Sequence, residues 1–265
     1  MKNINAILLV SFGTRYLDSK QKTIDKITEK TIEAFPDYKI YQAWTSKILI
    51  NLLKEQNHLL IPTLEEVIKE IIKDGIETLI VQPTHLINGL ENEIMIETIV
   101  KHAPTTLNIS FGLPLLSSTK DQRAALQAII KEFYDLPKDE ALVLMGHGTT
   151  HYANSVYAAL DYMLKDMGYS NLFMGTVEAY PDLETLIRQV TKINPKKIHL
   201  APFMLVAGDH ANHDLAGDNR NSWKSLFETA GYQVECHLKG LGEYEEIQKI
   251  YLEHLKEAIE KINRK

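Results

Sequence analysis

Three observations predict an α/β protein of two similar halves. Short apolar runs rich in β-branched residues alternate with longer segments of helical period, the pattern of parallel strands joined by crossover helices. Each half holds four such runs. Between them, the charged, Pro-centred stretch Asp135-Leu136-Pro137-Lys138-Asp139 breaks both periods. The expected fold is two Rossmann-like lobes, residues 1–134 and 138–265, each a four-stranded parallel sheet flanked by helices. The last helix is a candidate for packing back on the first lobe.

In the first half, strands are expected at Ala6–Val10, Tyr38–Ala43, Thr78–Gln82 and Asn108–Phe111, with helices near Ser19–Ala34, Ser46–Asn57, Leu64–Lys73, Asn92–His102 and Lys120–Tyr134. Thr63 and Glu66, just after Pro62, have capping-box spacing and mark the third helix start. In the second half, strands are expected at Ala141–Met145, Asn171–Gly175, Lys197–Leu200 and Tyr232–Cys236, with helices near Tyr152–Met167, Leu183–Lys192, Asn219–Ala230 and Tyr244–Ile262. The halves look like diverged copies. Leu9-Val10-Ser11-Phe12-Gly13-Thr14 aligns with Leu144-Met145-Gly146-His147-Gly148-Thr149, and Gln82-Pro83 with Gly89 aligns with Ala201-Pro202 and Gly208.

The 265 residues carry 29 Lys+Arg against 35 Asp+Glu, a net charge of −6, with 45% hydrophobic and 24% charged residues. That apolar content excludes a disordered chain. Apolar stretches of about five residues exclude a membrane span, which needs about 20. Met1 to Val10 lacks a leader's cleavage site, so a cytoplasmic location is expected. The acidic balance argues against nucleic-acid binding. A single cysteine, Cys236, excludes internal disulfides and thiolate metal clusters built from this chain alone.

In open α/β sheets ligands bind beyond the carboxyl ends of strands. His147, Glu178 and His210 each follow a strand of the second half, an N/N/O set that suits cobalt, nickel, iron or zinc. Singly, each is more often a solvated or capping loop residue than a ligand; the shared topological position makes a ligand set an equal alternative. His210 and His213 could both face one ligand, but His213 reads more readily as an exposed helix-start residue, and Asp209 and Asp214 as acceptors for an imidazole N–H. In the first half, Phe12 stands where the second has His147, and Glu91 aligns with His210. Glu91 is either a proton or metal acceptor or a helix-start carboxylate. Other chemistries lack their parts. His151 occupies the third glycine position of a dinucleotide fingerprint, the His147/His151 pair lacks a zinc protease's glutamate, and no G-x-S-x-G elbow exists.

The chain resembles the anaerobic cobalt chelatases of the CbiK type, sirohydrochlorin cobaltochelatases of the class II chelatase superfamily that includes ferrochelatase. The likeness runs over nearly the whole chain: Leu8 to Thr14, Gln82-Pro83-Thr84-His85, Met145-Gly146-His147-Gly148-Thr149, Val177-Glu178-Ala179-Tyr180-Pro181, and Ala201 to Ala211. It implies insertion of Co2+ into sirohydrochlorin in cobalamin synthesis, with the tetrapyrrole held between the lobes. It further implies His147 as proton acceptor and metal ligand, Glu178 and His210 as further ligands, and no permanently bound cofactor, Co2+ being a substrate. Ser11, Phe12, Gly13, Thr14, His85, Glu91, Gly148 and Thr149 are candidates for touching the macrocycle. Arg15, Lys47, Arg123, Arg188 and Arg220 are candidates for its carboxylates, and Tyr16, Trp44 and Tyr180 for stacking, with core packing the default for Phe12 and Trp44. Iron or nickel insertion, a tetrapyrrole or metal carrier, and a metal-dependent hydrolase are the competing readings. A homo-oligomer is left open.

Overall fold

A computed structural model describes residues 4–264; Met1–Asn3, part of the segment read for a leader, and Lys265 lie outside the described residues. Two compact units result. One is built from the described residues up to Ser117 together with those from Glu245 onward, the other from Ser118–Tyr244.

In the first unit, β1 (Asn5–Ser11), β2 (Lys39–Trp44), β3 (Thr78–Pro83) and β4 (Asn108–Phe111) form a parallel sheet in the order β2-β1-β3-β4. Central strand β1 explains its own placement: Ala6, Ile7, Leu8 and Val10 are fully buried, as a strand covered on both faces requires. Each large aliphatic side chain so buried contributes roughly 1.5–3 kcal/mol. The helices are α1 (Leu17–Lys20), α2 (Lys26–Ala34), α3 (Lys47–Asn57), α4 (Leu64–Lys73) and α5 (Leu90–His102), with a π turn at Gln21–Asp25. The anticipated capping box is present: Thr63 Oγ1 accepts from the Glu66 amide at 3.3 Å, and the Glu66 carboxylate accepts from the Thr63 amide at 2.8 Å. Leu64, Val67, Ile68 and Ile71 of α4 pack with Leu8, Val10 and Val81 on one face of the sheet.

The second unit contains α6 (Thr119–Glu132), β5 (Glu140–Gly146), α7 (Ser155–Asp166), β6 (Leu172–Thr176), α8 (Leu183–Ile193), β7 (Lys197–Pro202), α9 (Trp223–Thr229) and β8 (Gln233–Cys236). Its sheet order, β6-β5-β7-β8, repeats that of the first. The registers agree as well: Val10 stands beside Pro83 in one sheet, and Met145 beside Pro202 in the other, the pairs the duplication aligned. The helix expected from Asn219 starts at Trp223, because Ser222 caps it by accepting from the Ser225 amide at 3.1 Å.

Dividing the sequence at residues 134 and 138 places two helices differently from the structure. The last helix, α10 (Glu245–Asn263), belongs to the first unit. There Leu255 and Ala258 pack with Ile7, Leu9 and Ile80 on the face opposite α4, and the Tyr251 hydroxyl donates to the Thr84 carbonyl at 2.8 Å. Conversely, α6 groups with the second unit, where Arg123 pairs with Asp166 of α7 at 3.7 Å.

Candidate metal centre

The carboxyl ends of three adjacent strands position the cluster. β5 lies between β6 and β7, the point where chain direction across the sheet reverses and where such folds bind ligands. His147 directly follows β5. The backbone then ties the next loop to it: the Val177 amide donates to the Gly146 carbonyl at 3.0 Å, and the Glu178 amide to the His147 carbonyl at 2.9 Å. From β7, the Phe203 amide donates to the Met145 carbonyl at 2.7 Å before the chain reaches His210, which opens a π turn spanning His210–Leu215. Single π turns inside helical segments recur at functional sites.

These constraints bring the three side chains together. Glu178 Oε2 lies 3.5 Å from His147 Nδ1, and Glu178 Oε1 lies 3.9 Å from His210 Nε2. The two imidazoles meet edge to face with ring centroids 4.6 Å apart, and one ligand atom from each of the three residues falls within 4.8 Å of the others. Hydrogen positions follow from the partners. The Gly148 carbonyl, 2.9 Å from His147 Nδ1, and the Asp214 carboxylate, 2.7 Å from His210 Nδ1, can only accept. Both rings therefore carry their hydrogen on Nδ1 and offer an Nε2 lone pair. Side-chain exposures of 47% for His147 and 51% for Glu178 leave the cluster open to an incoming reactant.

Of the two flanking aspartates, Asp214 orients His210, while Asp209 lies 3.7 Å from His213, which is exposed and outside the cluster. Asn154 is a supporting residue that sequence reasoning missed. Its Oδ1 accepts from the Thr149 amide at 3.0 Å and its Nδ2 donates to the Tyr180 carbonyl at 2.6 Å, joining the loops that carry His147 and Glu178. No local pattern marks it, because both partners are set by tertiary structure.

The first unit repeats the scaffold without the ligands. The Thr45 amide donates to the Ser11 carbonyl and the Ser46 amide to the Phe12 carbonyl, so Phe12 and Ser46 stand where His147 and Glu178 do. Phe12 is 45% exposed rather than in the core, whereas Trp44 is buried as expected. Gly13 at φ +104 turns the chain over the Trp44 ring, directing Phe12 outward. Ser11 is buried and accepts from the Thr84 hydroxyl at 2.9 Å; Thr14 is buried and Glu91 exposed. Both ring nitrogens of His85 are shielded from solvent without hydrogen-bond partners, and burial pushes its pKa down to about 4. Among the proposed cations, Lys47 pairs with Glu65 at 3.1 Å and Arg188 with Glu184 at 2.6 Å. Arg15 lies 5.5 Å from the Tyr16 ring centre, and Arg220 and Tyr180 are exposed.

Residues 5–260 match the family model described as cobalt chelatase (CbiK). The chain belongs to the CbiK family of cobalt chelatases. Its curated relatives include the sirohydrochlorin cobaltochelatase of Salmonella typhimurium, 35% identical over 96% of each chain. A second is sirohydrochlorin cobaltochelatase CbiKC of Nitratidesulfovibrio vulgaris, 29% identical over 96% of this chain and 90% of that protein. Among solved structures, SirB from Bacillus subtilis with Fe3+ shares the fold at a TM-score of 0.65 and 16% identity, covering 97% of this chain and 96% of that one. CbiX, described as the terminal enzyme of siroheme biosynthesis in denitrifying bacteria, does so at 0.58 and 15%, covering 96% and 99%. As a CbiK chelatase the chain is a metal-inserting enzyme, and among its described residues no helix is long and apolar enough to cross a membrane.

Proposed function

We propose that this chain inserts Co2+ into sirohydrochlorin, releasing two protons, as a step of cobalamin biosynthesis in the cytoplasm. The observation that carries this reading is the meeting of His147, Glu178 and His210, one ligand atom from each within 4.8 Å of the others, in a chain that aligns over 96% of its length with a sirohydrochlorin cobaltochelatase. A free, partly buried thiol at Cys236 suits a reducing compartment.

A divalent ion can enter the macrocycle only as two pyrrolic N–H protons leave, so a chelatase must present metal and accept protons. Imidazole does either near neutral pH. His147 is the proton acceptor and a ligand; Glu178 and His210 complete the metal set, and Asp214 holds His210 in the ligating tautomer. Mixed nitrogen and oxygen ligation releases an ion that thiolates would retain. The ion is therefore cargo rather than a resident cofactor. Contact with the macrocycle is assigned to Phe12, Gly13, Thr149 and Glu91, whereas Ser11, Thr14, Gly148 and the ring nitrogens of His85 are buried away from an incoming reactant. Of the former, Phe12 offers an exposed ring.

The test is anaerobic absorption spectroscopy with sirohydrochlorin and Co2+, Ni2+ or Fe2+, for the wild type, His147→Ala and His210→Ala. Multiple turnovers with Co2+ by the wild type, and loss of insertion with retained circular dichroism in both variants, are expected. Turnover retained in both variants overturns the site. A stoichiometric shift without turnover favours a carrier.

A further inference from the structure

A second cluster lies on the face of the second sheet rather than beyond its strand ends. Ile198 and Leu200 of β7 enter the core with Ala141 and Val143, so the alternate residues Lys197, His199 and Ala201 point to the other face. Glu140 and Glu235 share that face, standing in register beside Lys197 and His199 respectively. His237 extends the pairing past β8, its amide donating to the Leu200 carbonyl at 2.8 Å.

The first unit shows what is unusual here. By the duplication, His199 occupies the position of Ile80, which is fully buried under α10. The second unit puts a cavity of about 320 Å3 beside that position, lined by residues including Phe133, Pro137, Glu140, His199, His237 and Tyr244. An imidazole therefore replaces an aliphatic core residue where a cavity gives an ion room to enter.

The hydrogen bonds set its tautomer. The Glu140 carboxylate, 2.6 Å from His199 Nε2, can only accept, which leaves the His199 Nδ1 lone pair directed at its neighbours. His237 Nε2 lies 2.9 Å from that lone pair and Glu235 Oε2 lies 3.9 Å from it, while His237 Nε2 and Glu235 Oε1 are 3.8 Å apart. A carboxylate behind a ligating imidazole is the usual support of a metal-binding histidine. Phe133 packs edge-on against His237, with ring centroids 5.0 Å apart, and restricts its ring.

We propose that His199 Nδ1, His237 Nε2 and the Glu235 carboxylate form a second site for a divalent transition-metal ion such as Zn2+ or Co2+, separate from the His147 cluster. The hydrogen that His237 now directs to His199 shifts to its own Nδ1, and the surface pair of Lys197 with Glu235 opens as the carboxylate turns to the ion. Two imidazoles and one carboxylate leave a coordination position facing the cavity for water.

Zn2+ binding by the full-length, tag-free protein tests this, using equilibrium dialysis with elemental analysis and, in parallel, the visible absorption of bound Co2+. The His147→Ala/His210→Ala variant, stripped of the first cluster, is expected to keep one ion with a nitrogen-ligated Co2+ spectrum. Adding Glu235→Gln, an exposed change that spares the fold, is expected to weaken that binding at least tenfold, and adding His237→Ala to abolish it. The proposal is overturned if the double variant binds no ion, or if its ion is held equally well after both further substitutions.

Discussion

Gly148, at φ +87, makes the turn that leaves His147 facing Glu178, and a Cβ there would stand 2.9 Å from the Ala179 amide nitrogen and from Thr176 Cβ. Gly168, at φ +91, has open space around it. Replacement by Ala at Gly168 is expected to cost only the conformational strain, about 1–2 kcal/mol. At Gly148, overpacking against backbone adds about 1–3 kcal/mol more. Urea denaturation of the two variants measures the difference; equal losses would remove the close-approach argument. His85 carries the clearest pH dependence. Burial lowers its folded pKa from 6.5 to about 4, so between those values the unfolded chain holds a proton that the folded chain does not. Its contribution is intact above the unfolded pKa and is lost as pH falls, on the order of 2 kcal/mol by pH 5. His85→Leu is expected to flatten the fall in urea midpoint between pH 7 and pH 5, and an unchanged fall would assign the proton uptake elsewhere.

At the scale of elements, α10 acts as the outer layer of the first sheet. Its contacts are specific as well as apolar: the Ser110 hydroxyl donates to the Ala258 carbonyl at 2.8 Å, His254 Nδ1 lies 2.9 Å from the Leu113 carbonyl, and Tyr251 donates to Thr84 while fully buried. Tyr251→Phe keeps the ring and strips a buried carbonyl of its donor, for an expected loss of about 1–3 kcal/mol. A lower urea midpoint at unchanged slope would report that loss; an unchanged midpoint would mean that the hydroxyl contributes nothing net. The loops after β1 and β5 show the same element put to two uses. Equivalent amide-to-carbonyl bonds hold both, yet the side chains they present are Phe12 and Ser46 in one and His147 and Glu178 in the other.

On the scale of the molecule, the chain's two ends build one unit and its middle builds the other. A chain ending at Tyr244 would uncover Ile7, Leu9 and Ile80 while leaving every residue of the second unit in place. Such a protein is expected to lose hydrogen-exchange protection across β1 and β3 and to keep it across β5 and β7. Equal protection in both sheets would show that α10 is dispensable.

The eight strands among the described residues were legible in the sequence to within one or two residues at their ends, because runs of apolar residues and helical period are local signals. His147, Glu178 and His210 were legible in part: each follows a strand of one sheet, which made a ligand set and ordinary loop residues equal alternatives, and the family resemblance chose between them. Tertiary structure decided the rest. Whether Asp209 or Asp214 holds His210 depends on a π turn with no periodic signature, and Asn154 acts only because two loops meet beside it. The docking of α10 on the first sheet follows from which apolar face lacks a partner, a property of the assembled layers. His199, Glu235 and His237 come together through the register of β7 against β8, which period alone does not fix, since sliding one strand by a single residue would turn Glu235 to the opposite face.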